Sequence, residues 1–109
     1  MTSADPTQPS AWHCLGPLQR IPEGLSQATV GQSRLCLVRH GPLIAALDDQ
    51  CVHAGAPLSA GWLRGGQIVC PWHRFRYEWS TGRADYPPGS PAQPVHPVRV
   101  RDGLVFVRI

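Results

Sequence analysis

The apolar positions of this chain fall into short runs separated by turn residues, and none keeps a helical period over a convincing length. Arg34-Leu-Cys-Leu-Val-Arg39 and Leu43-Ile-Ala-Ala-Leu47 flank His40-Gly41-Pro42, which predicts a hairpin. Gln67-Ile-Val-Cys70 and Phe75-Arg-Tyr-Glu-Trp79 predict two more strands around a tight loop. Pro97-Val-Arg-Val-Arg101 and residues 104–109 are joined by Asp102-Gly103, the clearest turn in the chain. In that last pair Val98, Val100, Leu104 and Phe106 alternate with arginines, which predicts that those four side chains form the buried face. Tyr86-Pro-Pro-Gly-Ser-Pro91 reads as loop. The pattern predicts an all-β domain.

Composition sharpens this picture. Twelve prolines and 11 glycines in 109 residues are more than a helical protein of this size tolerates. The length suits one small domain. The net charge of +3 comes from ten scattered arginines with no lysine, no basic run and no nucleic-acid motif, so nucleic acid is not an expected partner. Residues 1–10 carry neither a basic segment nor an apolar core, so they read as a disordered leader ahead of a domain at 11–109 rather than as a signal peptide. No stretch is long and apolar enough to span a bilayer, so the expectation is a cytoplasmic protein without membrane contact.

The chemistry lies in Cys51-Val52-His53 and Cys70-Pro71-Trp72-His73, with 16 residues between His53 and Cys70. Each half offers one thiolate and one imidazole. Such a set suits a [2Fe–2S] cluster in which one iron takes two cysteines and the other two histidines. Two cysteines and two histidines also satisfy tetrahedral zinc. Common zinc spacings, however, pair like with like. Here each half is mixed, with Gly55 and Pro57 packed behind the first, which favours iron and sulfide.

On these residues the chain resembles the Rieske family. Cys51-Val-His-Ala-Gly-Ala-Pro-Leu58 matches the first cluster loop and Cys70-Pro-Trp-His73 the second, and Gly82 falls where the family turns out of the cluster region. The resemblance implies an antiparallel β-sandwich base carrying a small cluster-binding insertion, here about residues 49 to 82. It also implies one [2Fe–2S] cluster held by Cys51, His53, Cys70 and His73. Respiratory members add a cysteine to each loop and join the two in a disulfide. Those positions are Ala56 and Trp72 here, so the loops are not stapled, as in the ferredoxin and oxygenase branches. The high-potential branch has a serine where this chain has Phe75, which lacks a donor, while its tyrosine is matched by Tyr77. The expected potential therefore lies in the lower part of the roughly −150 to +300 mV range. Arg74 stands where a glycine usually follows the second histidine, and either steers an acidic partner or solvates the loop tip.

The remaining residues have plainer readings. Cys14 and Cys36 lie in short apolar segments and are expected as small buried hydrophobes, with a second metal site around His13 as the alternative. His40 and His96 adjoin turn residues and are expected on the surface. Trp62 and Trp79 are expected in the core, and Trp72 is left open between core and partner surface. The chain is too short for an oxygenase catalytic domain and lacks a dinucleotide fingerprint or nucleophile constellation. It is therefore expected to be no enzyme by itself. The resemblance implies a monomeric one-electron carrier between a flavin-containing reductase and a terminal aromatic-ring-hydroxylating oxygenase. A second reading is the small Rieske subunit of a larger redox enzyme such as assimilatory nitrite reductase. A third is a zinc-stabilised interaction module.

Overall fold

The computed structural model describes residues 11–52 and 55–109, so the expected leader at 1–10 and the ligand candidate His53 lie outside the described residues. The chain forms strands β1 (Trp12–Pro17), β2 (Gly24–Val30), β3 (Ser33–His40), β4 (Leu43–Asp48), β5 (Trp62–Arg64), β6 (Gln67–Val69), β7 (Arg76–Glu78), β8 (Ala84–Tyr86), β9 (Val95–His96), β10 (Val98–Arg101) and β11 (Leu104–Arg108). Single 3-10 turns occupy Leu18–Arg20 and Leu58–Ala60. No α-helix forms among the described residues, as the absence of a helical period predicts.

All pairings are antiparallel and build three sheets, in the orders β1-β11-β10, β2-β3-β4-β9 and β5-β6-β7-β8. The second sheet is the shared middle layer. Leu35 and Leu37 of β3 pack with Ile21, Ala46, Val105 and Val107 toward the first sheet. Cys36 and Val38, the alternate residues of the same strand, pack with Leu47, Cys51, Leu58, Ile68, Cys70 and Tyr77 toward the third. A strand buried on both faces needs a continuous apolar run, and Leu35-Cys-Leu-Val38 supplies it. The third sheet and both cysteine loops lie in sequence between β4 and β9, so this whole unit is threaded out of the sandwich and back.

One expectation is reversed. In β11 the buried residues are Val105 and Val107, while Leu104 is exposed and Phe106 half-buried. Asp102 and Gly103 both adopt positive φ, 53° and 76°, as a two-residue hairpin turn requires. That turn pairs Arg101 with Leu104 and Arg99 with Phe106, which puts both apolar side chains on the arginine face. Val98 and Val100 then face Val107 and Val105 across the ladder, yet Val100, expected on the buried face, is exposed at this edge strand.

Candidate metal centre

The two cysteine loops are built alike. The Cys51 N–H donates to Ala56 O at 2.8 Å, and the Cys70 N–H donates to Phe75 O at 2.8 Å. Each loop therefore closes over the same span beginning at its cysteine. In the first, a further bond from Gly55 N–H to Cys51 O at 2.7 Å tightens the turn. The second is a hairpin loop: β6 ends at Val69 and β7 begins at Arg76, so the sheet ladder fixes both its ends. Its tip uses the left-handed region at two successive non-glycine residues, His73 at φ 61° and Arg74 at φ 59°. The glycine expected at position 74 would adopt that conformation without steric cost, whereas the Cβ of arginine opposes it by roughly 1–2 kcal/mol.

Burial divides the described candidate ligands by type. Cys51 is 1% exposed and Cys70 is fully buried, while His73 is exposed. Beside His73, Trp72 is 52% exposed, and Val52 at the tip of the first loop is also exposed. Trp72 is thus a surface residue. Trp79 packs against the core as expected, but Trp62 is 45% exposed, because β5 is an edge strand of the third sheet.

The Cys51 side chain lies within hydrogen-bonding reach of the Cys70 thiol, and neither is in a disulfide. Burial pushes the Cys70 thiol up to about 12, with Cys51 acting in the same direction and a Trp72 backbone hydrogen bond opposing. Tyr77 is fully buried, with its hydroxyl 3.1 Å from Cys51 Sγ, and burial followed by that contact raises its phenol above the usual range. A buried thiol raised in this way, as Cys70 is, loses its proton only against a cation, so a soft metal that binds here does so with proton release. A buried thiol pair below an exposed imidazole fits a group held by sulfur on the inside and nitrogen on the outside. No three His, Cys, Asp or Glu side chains gather as a single-ion site among the described residues. Shared ligation, two donors per iron, does not require such a group.

The other sequence candidates fall away from this site. Cys36 is buried as expected and held as a thiol, its pKa pushed to about 12 by burial and then by Asp49. Cys14 is exposed, contrary to expectation, because its partner in the ladder is Phe106 on the outer face of the first sheet. His13 and His40 are exposed. His96 is not a free surface group: its Nε2 lies 2.6 Å from the Asp48 carboxylate and its side chain is mostly covered.

A family model described as the Rieske [2Fe-2S] domain matches residues 11–98. The chain belongs to that family. As a Rieske domain it takes the Rieske-type [2Fe–2S] cluster, which the buried thiol pair accommodates. It is 33% identical over 99 residues to the anthranilate 1,2-dioxygenase ferredoxin subunit of Burkholderia cepacia, covering 90% of this chain and 92% of that one. The ferredoxin of carbazole 1,9a-dioxygenase from Nocardioides aromaticivorans IC177 superposes with a TM-score of 0.82 at 25% identity, over 90% of this Rieske domain and 97% of that chain. A structure of the complex of reduced oxygenase and oxidised ferredoxin in carbazole 1,9a-dioxygenase contains a chain similar at TM-score 0.78 and 30% identity, over 87% of this domain and 99% of that chain. Among the described residues no helix is long and apolar enough to cross a membrane.

Side chains that the sequence did not single out also meet here. Asp49 and Gln93 are buried polar residues on either side of the cysteine loops. The signal for Asp49 was its place two residues before the first motif. Gln93, in the Pro-rich stretch before β9, gave none.

Proposed function

We propose that this chain is a one-electron carrier in which Cys51, His53, Cys70 and His73 hold a Rieske [2Fe–2S] cluster. On this reading it accepts electrons from a flavin-containing reductase and delivers them to a terminal aromatic-ring-hydroxylating oxygenase. The observation that carries it is the division of burial within the second loop. Cys70 is fully buried while Trp72 and His73, two and three residues on, are exposed. The cysteine anchors the group from inside, and the histidine leaves a conducting edge at the surface beside an aromatic side chain. Such an edge gives a partner a short path without exposing the thiolates to water.

When bound, the cluster takes up and releases a single electron, and mixed ligation sets its potential above that of an all-cysteine cluster. The chain's own part is to exclude water around the two sulfurs, to offer the Tyr77 hydroxyl to Cys51, and to present Arg74 and Trp72 to a partner. Support for the oxygenase as recipient comes from the ferredoxin subunits that this chain resembles and from the oxygenase–ferredoxin complex among its structural neighbours. The reading places the cluster-binding insertion at about 49–82 of a domain running from 11 to 109, and takes the protein to be a cytoplasmic monomer.

Iron and acid-labile sulfide analysis of protein produced with adequate iron tests the reading. Equal amounts of iron and sulfide are expected, with visible colour, and loss or gross change of both in Cys51→Ala or His73→Ala. Stoichiometric zinc without sulfide overturns it in favour of an interaction module.

A further inference from the structure

Aside from the cysteines and Tyr77, the buried polar side chains among the described residues are Asp49 and Gln93, 3% and 1% exposed. Both hold the segment that carries Cys51. The Gln93 side-chain amide donates from Nε2 to Asp48 O and to Gln50 O, each at 2.9 Å. Its Oε1 accepts the Val52 N–H at 3.0 Å. Two carbonyls and one N–H leave the amide a single orientation, and the three bonds bracket Cys51 on both sides. The backbone of Gln93 is itself held, its N–H donating to Gly82 O at 2.8 Å. Asp49 accepts the Ser59 N–H at 2.6 Å, the Ser59 hydroxyl at 2.7 Å and the Gln27 amide, so it ties the start of the loop to its end and to β2.

The two cysteine loops explain why the first needs this help. The second is rooted in the β6–β7 ladder at both ends. The first leaves β4 at Asp48 and runs to the 3-10 turn at Leu58 without a strand pair closing it. A side chain needed only to fill space there would be apolar, since a buried amide or carboxylate is costly unless each polar atom is bonded. We infer that Gln93 and Asp49 are positioning residues for the first cluster loop, fixing the backbone on each side of Cys51 before and during metal binding. The inference rests on the ligand assignment proposed above, and adds residues that act on the cluster only through the loop.

The test uses the protein as purified, with Gln93→Leu and Gln93→Glu. Leucine keeps the volume and removes all three bonds, while glutamate keeps an oxygen for the Val52 N–H. In Gln93→Leu the Val52 amide is expected to exchange with solvent roughly tenfold faster or more, with the amides of residues 35–38 unchanged. Iron release to a chelator at 25 °C is expected to accelerate roughly 10- to 100-fold. Gln93→Glu is expected to keep the Val52 amide protected and to fall between the two in release rate. In Asp49→Leu, which removes both acceptor oxygens, the Ser59 amide is expected to lose protection in the same way. A merely structural role predicts a lower unfolding temperature with Val52 exchange and iron release unchanged, and that outcome overturns the inference. If the purified protein holds no iron, the ligand assignment fails, and Val52 exchange alone then decides whether Gln93 positions the loop.

Discussion

Tyr77 bears directly on the electron. Its hydroxyl lies 3.1 Å from Cys51 Sγ in a site closed to water. With Cys51 as a cluster ligand the hydroxyl donates to the thiolate and favours the reduced, more negative state. Phe75, where the high-potential branch has serine, contributes no such donor. On the proposed ligand set the chain keeps one of two such devices, and a potential below the top of the family's range is expected. Tyr77→Phe is expected to lower the midpoint, and a loss of about 1.4 kcal/mol of preferential stabilisation corresponds to roughly 59 mV for one electron. Phe75→Ser is expected to raise it. A redox titration with an unchanged midpoint in Tyr77→Phe would show that the hydroxyl does not act on the sulfur.

Among the elements, the β7–β8 turn ties the third sheet to the Gln93 segment, whose N–H donates to Gly82 O. Gly82 sits there at φ 79°, and its N–H donates to Glu78 O at 2.7 Å. A Cβ at this position would stand 2.0 Å from Gln93 O and 3.0 Å from Val95 Cγ1. Gly103, in the β10–β11 turn, has a similar φ of 76° but open space around it. The pair separates strain from collision. Gly103→Ala is expected to cost about 1 kcal/mol, the price of the backbone alone. Gly82→Ala is expected to cost several times more, on the order of 3 kcal/mol or above, because Gln93 must move with it. Denaturant titration of both variants checks this, and equal losses would mean that the Gln93 backbone yields freely. The β10–β11 hairpin carries a second lesson at this scale: the length of its turn, not the run of apolar letters, decided which valines are buried.

Over the whole molecule, the middle sheet serves two cores with alternate residues of one strand. The core toward the first sheet is closed by Leu35, Leu37, Val105 and Val107 and contains no cysteine. The core toward the third sheet includes Cys51 and Cys70, so its integrity depends on what those thiols hold. Removal of the metal leaves two unstapled loops, the first held by its local bonds and the Asp49 and Gln93 side chains, the second by the β6–β7 ladder. Limited proteolysis of metal-free protein is therefore expected to cut first within about residues 49–82, while the sandwich of the first two sheets resists. Equal protection in both forms would show that the loops close without metal.

The sequence by itself determined the family, with the cluster type that goes with it, and the main hairpins. Ligand types and spacing are properties of the chain, and Asp102-Gly103 or His40-Gly41-Pro42 act within a few residues. The family, the all-β class and the burial of Cys36 were legible for the same reason. Strands β1, β2, β5, β8 and β9 were not, because each is an edge strand of its sheet and carries no continuous apolar run. The exposure of Cys14 and Trp62, the His96–Asp48 contact and the inward valines of β11 were also tertiary decisions, set by register and sheet order. Gln93 is the clearest case. Nothing local marks a glutamine in a Pro-rich stretch, and only the return of the chain beside β4 brings its amide to the backbone of a loop 41 residues earlier.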